Sequence, residues 1–281
     1  MRFKYFIKIL LTIFFVFAST QSFAKIIKWS MQGDSLTLDP HAQNEGPTTQ
    51  VSRQIYEALV TRGLDMKIGP QLATKWKAVD PNTWYFFLRE DVKFSNGQKM
   101  TSDDVVFSIL RAKQPTSDFK EYISTISGVK AIDDYTVQIK TSKPNPILLN
   151  QLSNIFIMSK EWCNENFAIV PQNWDASQET FSAVNAMGTG PFKITLREPN
   201  TKTVFKRNKK WWGSMKDSKV TEIHLLPIKN AATRVAALLS GEIDLVTDAP
   251  VQDLGRIKAS AAHKVESTPQ MRTIFLGMDQ A

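Results

Sequence analysis

The chain has 281 residues, of which 42% are hydrophobic, 10% aromatic and 22% charged, and its formal net charge is +8. This composition excludes an intrinsically disordered protein, because the charged residues are accompanied by ample Val, Ile, Leu and Phe to bury a core. The length indicates one or two globular domains. Arg2, Lys4 and Lys8 precede the first acidic residue, Asp34, so the chain without them carries +5. A net charge this small does not point to a nucleic-acid-binding surface.

The N-terminus has the pattern of a secretory signal. Its basic residues precede an apolar run from Ile9 to Ala18, and Ser22-Phe23-Ala24 places small residues where a signal peptidase cuts. The run is too short for a membrane span, which needs about 20 apolar residues. We therefore expect cleavage after Ala24 and a periplasmic protein. Because Cys163 is the only cysteine, neither a lipid anchor at the cleavage point nor an internal disulfide is expected.

Strand and helix patterns alternate along the first half of the remaining chain. The predicted elements are a strand at 26–31, a helix at 48–60, a hairpin at 76–94, a helix from 101, a strand at 135–140 and a short helix at 145–152. Asn96-Gly97 is typical of a tight turn. Thr101, with Asp104 three residues later, predicts a capped helix start, and the apolar residues at 105, 106, 109 and 110 predict its buried face.

The second half begins with residues 160–187, which have no clear period and are predicted to connect two domains. Strands are then predicted at 203–205 and 222–226, followed by a helix at 231–239. Gly241 is expected to end that helix, because glycine adopts positive φ without strain. A strand at 243–246 follows, so the whole pattern predicts an α/β fold.

Seven short motifs occur in one order along the chain. They are Leu38-Asp39-Pro40 with Tyr56-Glu57-Ala58-Leu59, followed by residues 69–76, 88–97, 101–108, 188–192, 207–212 and 240–245. In this order they resemble the N-terminal half of the family 5 extracytoplasmic solute-binding proteins, the peptide- and nickel-binding class that serves ABC transporters. The resemblance extends over roughly residues 36 to 278.

The resemblance implies a fold and a division into domains. The expected fold is an α/β lobe of the type II periplasmic-binding-protein class, with an inserted α/β domain and with the second lobe missing from this chain. The implied segments are a signal peptide at 1–24, the first part of the first lobe at 25–60, an inserted smaller domain at 61–180, and the return to the first lobe at 181–281, ending at the hinge.

The resemblance also implies the residues that contact a solute. They are Met31, Gln32, Gly33 and Asp34 after the first strand, Phe119 or Tyr122 as an aromatic wall, Gly188, Thr189 and Gly190 as the floor of a cleft, and Arg272 at the hinge. Core packing is an equally good explanation for Phe119 and Tyr122. For Arg272, pairing with an anionic group of the solute has a structural ion pair as its alternative.

The implied function is the capture of a solute, with peptides favoured over nickel complexes, haem or sugars, and its delivery to an inner-membrane ABC permease. A monomer is expected, with no cofactor, no metal, no nucleic acid and no enzymatic activity. The three histidines have no ligand-type neighbours at metal-binding spacing, and the hydrolase motifs G-x-S-x-G and H-E-x-x-H are missing from the sequence. Two alternatives stay open: a truncated, non-functional binding-protein fragment, and a secreted hydrolase fragment with a Ser-His-Asp arrangement formed in space.

Overall fold

The computed structural model describes residues 25–269 and residue 278. The predicted signal peptide and Arg272 lie outside these residues. The strands are β1 (Lys25–Ser30), β2 (Val60–Arg62), β3 (Ile68–Pro70), β4 (Ala73–Asp80), β5 (Thr83–Leu88), β6 (Ile126–Asp133), β7 (Thr136–Thr141), β8 (Phe192–Glu198), β9 (Lys202–Arg207), β10 (Val220–Leu225) and β11 (Leu245–Val246). The α-helices are α1 (Gly46–Ile55), α2 (Ser102–Ala112), α3 (Leu148–Leu152), α4 (Lys160–Glu165), α5 (Phe181–Val184), α6 (Ala231–Ser240) and α7 (Leu254–Ala259).

The larger sheet has the strand order β11-β1-β10-β9-β8. Strand β1 lies parallel to both β10 and β11, with Trp29 opposite Leu225 on one side and Leu245 on the other. Strands β10, β9 and β8 pair antiparallel. The carboxyl ends of β11, β1 and β10 therefore meet at one edge of the sheet, which is where α/β folds of this kind place their ligands.

A second sheet, β4-β5-β7-β6, is antiparallel throughout. Its inner face carries Phe86, Val137 and Ile139, which are fully buried in one core with Val105 and Ile109 of α2. The predicted strand at 135–140 is confirmed. The hairpin predicted at 76–94 is confirmed as β4 and β5, but its second strand ends at Leu88. Strands β2 and β3 form a separate short hairpin.

Helix α2 begins with the predicted capping box between Thr101 and Asp104. Its buried face is partly different from the predicted one. Val105 and Ile109 are buried, but the side chain of Leu110 is 52% exposed. Positions 105 and 109 are one turn apart and face the sheet, whereas residue 110 is rotated about 100° from residue 109 and faces away.

Three predicted boundaries need correction. Helix α1 ends at Ile55, not at residue 60, because Tyr56 is already extended and the chain continues into β2. Residues 160–187 are not wholly irregular, since they contain α4 and α5. The strand predicted at 243–246 is confirmed only for Leu245–Val246. The end of α6 is as predicted, with Gly241 at φ 78°.

Candidate ligand-binding face

The chain leaves β1 at the carboxyl edge of the three parallel strands, where Met31 to Asp34 follow. Met31 is fully buried in the core beneath the sheet, and its carbonyl accepts a hydrogen bond from Ile228 N–H at 3.0 Å. Gln32 is exposed and Gly33 is half-buried beside Pro47 at the start of α1. Of these four predicted contact residues, Gln32 and Gly33 are therefore the two that offer polar groups to solvent.

Asp34 is held by contacts within the protein. Its carboxylate accepts hydrogen bonds from Asn200 N–H at 2.8 Å and from Ser35 N–H at 2.8 Å, and it lies 3.4 Å from the Arg197 guanidinium. Both charged side chains are less than 10% exposed. Asp34 thus ties the start of this edge to the β8–β9 turn, and its contact with a solute stays a prediction.

The Gly188-Thr189-Gly190 turn packs against the carboxyl end of α1. Gly190 N–H donates to the Ile55 carbonyl at 2.8 Å, and the Gly188 carbonyl accepts from Ser95 N–H at 2.9 Å. A Cβ on Gly188 would lie 2.1 Å from the Ile55 carbonyl oxygen, and a Cβ on Gly190 would lie 2.7 Å from it. Only glycine permits this approach of two backbone segments. Thr189 is fully buried, so the role of this turn as the floor of a cleft stays a prediction.

Thr189 leads to a buried carboxylate that the sequence analysis did not single out. Glu57 accepts hydrogen bonds from Thr189 Oγ1 at 2.8 Å, Trp212 Nε1 at 2.9 Å and Trp211 Nε1 at 3.1 Å. The Arg89 guanidinium stacks on the Trp212 ring at 3.9 Å. Burial raises the pKa of Glu57, and the three hydrogen bonds and Arg89 offset only part of that effect. The adjacent Trp211 and Trp212 were the one signal in the sequence that could have indicated a buried hydrogen-bond acceptor such as Glu57.

The two aromatic candidates have different positions. Phe119 is 2% exposed and belongs to the core of the β4–β7 sheet, with its ring 5.8 Å from that of Tyr122. Tyr122 is half-buried at the surface of a groove, and its hydroxyl accepts a hydrogen bond from Asn44 Nδ2 at 3.2 Å. Tyr122 is therefore the one of the pair that a solute can reach.

Behind this face lies a second buried network, centred on Asp39 and Arg111. Both side chains are fully buried, and Arg111 Nη1 and Nη2 donate to the two Asp39 carboxylate oxygens at 2.8 and 2.5 Å. Asp39 also accepts from Ser182 Oγ at 2.9 Å and from the backbone N–H groups of His41 and Gln172, each at 3.0 Å. The network joins α2 to the segment after β1 and to the loop before α5.

His41 completes this network without forming a catalytic triad. Its Nδ1 accepts from Arg111 Nη1 at 3.2 Å, which leaves Nε2–H to donate to the Phe156 carbonyl at 2.9 Å. Ser182 bonds to Asp39 and not to an imidazole nitrogen. Ser-His-Asp hydrolysis requires the serine hydroxyl beside a free imidazole nitrogen, so this cluster lacks the geometry for that chemistry.

Comparison with known proteins identifies the fold. The family model for bacterial extracellular solute-binding proteins, family 5 Middle, matches residues 67–281. The chain belongs to this family. Its resemblance to family 5, inferred above from short motifs, is thereby confirmed.

Two relatives illustrate the range of the family. The periplasmic oligopeptide-binding protein OppA of Salmonella typhimurium is 27% identical over 264 residues, which cover 85% of this chain and 46% of OppA. The nickel-binding periplasmic protein of Escherichia coli is 26% identical, and the aligned region covers 87% of this chain and 46% of the nickel-binding protein. The family 5 chain described here thus spans about half the length of these relatives.

Solved structures agree with this assignment. The periplasmic binding protein AgaA of A. tumefaciens, in complex with agropinic acid, superimposes with a TM-score of 0.76 at 26% identity. The match covers 84% of this chain and 46% of AgaA. The expected α/β fold of the periplasmic-binding-protein class is confirmed.

Other predicted chemistry can be checked only within residues 25–269 and 278. There, no cluster of three or more His, Cys, Asp or Glu side chains could hold a metal ion, and no helix is long and apolar enough to cross a membrane. Cys163 is buried, and its burial raises the pKa of the thiol to about 12. A thiol in this environment is a poor nucleophile at neutral pH.

The Asp39–His41–Arg111 network lowers the pKa values of both an acid and a base. Burial alone would raise the pKa of Asp39, but the Arg111 charge and hydrogen bonds lower it to about 2. Burial and the Arg111 charge together lower the pKa of His41 from 6.5 to about 4, despite the nearby Asp39. At neutral pH the network therefore holds an ion pair beside a neutral imidazole.

This arrangement predicts acid sensitivity in this family 5 chain. His41 takes up a proton near pH 6.5 when unfolded but only near pH 4 when folded, so its contribution to stability is present above 6.5 and is lost as the pH falls toward 4. The free energy of unfolding should decrease by about 2 kcal/mol between pH 7 and pH 5 from this residue.

Urea unfolding at a series of pH values measures this decrease. His41→Gln, which cannot titrate, should have a flatter pH dependence than the wild type by about that amount. A His41→Gln profile parallel to that of the wild type would contradict the prediction.

Proposed function

We propose that this protein captures a small solute in the periplasm and presents it to the permease of an ABC importer, with peptides as the favoured solute. The observation that carries the proposal is the family 5 match over residues 67–281, on a sheet whose three parallel strands end together at one edge. Loop groups at such an edge commonly form ligand sites in α/β folds.

The proposed contacts follow from exposure. The Gln32 amide, the Gly33 backbone and the Tyr122 ring are accessible, and they supply hydrogen bonds and an aromatic surface. Met31, Asp34, Phe119 and Thr189 are buried, so we assign them the role of holding the accessible groups in position. Arg272 is retained as a proposed contact at the hinge. Such walls bind by polar contacts without covalent chemistry.

Peptides are favoured because several relatives carry that function in their names. They include oligopeptide-binding, murein peptide-binding and dipeptide-binding proteins. Others are named for nickel and for deoxycholate, so the family accommodates other solutes. A periplasmic location is part of this proposal, and the periplasmic relatives and the proposed signal peptide at 1–24 support it. The proposed domain boundaries at about residues 60 and 180 place all strands of the β4-β5-β7-β6 sheet in the inserted domain and all strands of the five-stranded sheet outside it.

Transport in the parent bacterium tests this function. Disrupting the gene should abolish most uptake of a labelled di- to pentapeptide pool, since the permease would lose its solute-binding subunit, and a plasmid copy of the gene should restore uptake. Uptake of labelled nickel and of a labelled sugar in the same strains provides the control. Unchanged peptide uptake with impaired nickel uptake would reassign the solute. Unchanged uptake of all three would contradict a transport function and favour a non-functional fragment.

A further inference from the structure

The loop after α4 and the start of α5 carry a group of exposed apolar side chains. The side chain of Phe167 is 90% exposed, and those of Ile169, Val170 and Phe181 are between 42% and 50% exposed. Covering them would remove apolar surface from water, which lowers the free energy. Exposed apolar surface of this kind marks sites of association with another molecule when its members are contiguous. These four side chains form the Phe167 surface.

A single buried guanidinium brings the backbone beneath this surface together. Arg111 Nη2 donates to the Val170 carbonyl at 3.1 Å and to Ser182 Oγ at 3.4 Å. The same side chain donates through Nε to the Ala168 carbonyl at 2.8 Å. Phe181 directly precedes Ser182, so the loop and the start of α5 lie side by side. Because this backbone is already fixed, little conformational freedom is lost when the surface binds a partner.

Phe167 has a backbone conformation in which glycine would be more favourable. Its φ is 54°, in the left-handed region. Its N–H donates to the Asn164 carbonyl at 3.4 Å, and the next N–H along the chain donates to the Cys163 carbonyl at 2.8 Å. This is the hydrogen-bond pattern of a Schellman helix end, where glycine is preferred. Phenylalanine here costs stability through its backbone and gains little from packing, which points to a function outside the fold.

The surroundings of the Phe167 surface are acidic, although the chain as a whole has a net charge of +8. Residues 161–192 contain no Lys, Arg or His. Their four carboxylates, all exposed, are those of Glu161, Glu165, Asp175 and Glu179. Within residues 25–269, none of the four has a Lys, Arg or His nitrogen within 4.0 Å. An apolar centre with an unpaired acidic border is complementary to an apolar partner with a basic border.

We infer that the Phe167 surface docks a basic amphipathic helix of a partner protein. Four neighbouring apolar side chains on one face of a helix form a hole that accepts a single side chain, and the Phe167 ring fills it. Lys and Arg at the edges of that face pair with the acidic border. The same border disfavours nucleic acids and anionic membranes, because both carry negative charge. This inference does not depend on the proposed transport function.

Two synthetic amphipathic helices serve as probes, with binding to the full chain measured by fluorescence anisotropy at low salt. One helix consists of Leu and Lys, so its apolar face is bordered by cations, and the other has Glu in place of every Lys. The Leu-Lys helix should bind. The Leu-Glu helix should bind at least about tenfold more weakly, because the acidic border repels it.

Phe167→Gly is the decisive variant, because it removes the ring and relieves the left-handed backbone. It should weaken binding of the Leu-Lys helix by at least about tenfold. It should also unfold at the same urea concentration as the wild type or at a higher one, since glycine suits this helix end. Val251→Ala is the matched control. The side chain of Val251 is 82% exposed but lies outside the acidic segment, so its loss should leave binding unchanged.

Several results would overturn the inference. They are equal affinity for the two helices, no binding of the Leu-Lys helix, or a Phe167→Gly protein that binds this helix as tightly as the wild type. Unfolding of Phe167→Gly at a clearly lower urea concentration would show that the ring belongs to the fold. Sedimentation that detects a dimer in the wild type but not in this variant would assign the surface to a second copy of the chain. Binding to phosphatidylcholine vesicles that is lost in the variant would assign it to a membrane.

Discussion

Arg111→Met is expected to lower the free energy of unfolding by about 3–5 kcal/mol, the cost of leaving a buried charge without its partner. The side chains of Arg111 and Asp39 have no exposed surface, and the guanidinium also donates to the carbonyls of Ala168 at 2.8 Å and Val170 at 3.1 Å. Methionine fills most of the volume but supplies none of these hydrogen bonds. Urea unfolding followed by tryptophan fluorescence measures the loss.

An exposed ion pair provides the control for this change. Lys160 and Asp103 lie 3.0 Å apart, and their side chains are 47% and 61% exposed. Lys160→Met should cost less than about 1 kcal/mol, because water already screens that pair. If Lys160→Met and Arg111→Met lower the free energy of unfolding equally, the buried Asp39–Arg111 pair is no more important for stability than an exposed ion pair.

A double substitution isolates the pair itself. In Asp39→Leu with Arg111→Met both charges are gone, so no buried charge is left unpaired and part of the stability lost in Arg111→Met should return. Recovery will be incomplete, because the N–H groups of His41 and Gln172 lose their acceptor. A loss equal to the sum of the two single losses would show that the residues act independently.

Gly188→Ala is expected to destabilise the protein by about 3 kcal/mol, at the upper end of the usual cost of overpacking. The added Cβ would lie 2.1 Å from the Ile55 carbonyl oxygen and 2.9 Å from the Tyr56 ring. Because the oxygen is a backbone atom, either α1 or the turn must move. Such a shift would also disturb the hydrogen bond from Thr189 to Glu57. Thermal and urea unfolding measure the effect.

Gly69→Ala is the matched control for this prediction. A Cβ on Gly69 meets nothing within 4 Å, and this residue lies in a strand, so alanine should change the free energy of unfolding by less than about 0.5 kcal/mol. Equal losses of stability in Gly188→Ala and Gly69→Ala would mean that the close approach of the turn to α1 does not require glycine at position 188.

The buried networks explain how the candidate face is held. Asp39 and Arg111 fix the segment that follows the Met31–Asp34 turn, and Glu57 fixes the end of α1 against the Gly188 turn. Both carboxylates are saturated with hydrogen bonds from distant parts of the chain. A rigid wall of this kind favours binding, because little conformational freedom is lost when a solute is captured.

Local features of this protein could be predicted from the sequence alone. The capping box of Thr101 and Asp104, the strict alternation of β7 and the helix end at Gly241 all arise from interactions within a few residues. Steric and hydrogen-bonding preferences act at that range whatever the rest of the chain does. The family could be inferred as well, because its motifs keep their order along the chain.

Only the tertiary structure decided which charged side chains are buried and what they bind. Glu57 was predicted to continue a helix, yet its carboxylate bonds to Thr189, Trp211 and Trp212, which are more than 130 residues away in the chain. Asp39 likewise meets Arg111 across 72 residues. No local preference specifies such partners. They are selected when the sheets and helices close around a core, since an unpaired buried charge would then cost several kcal/mol.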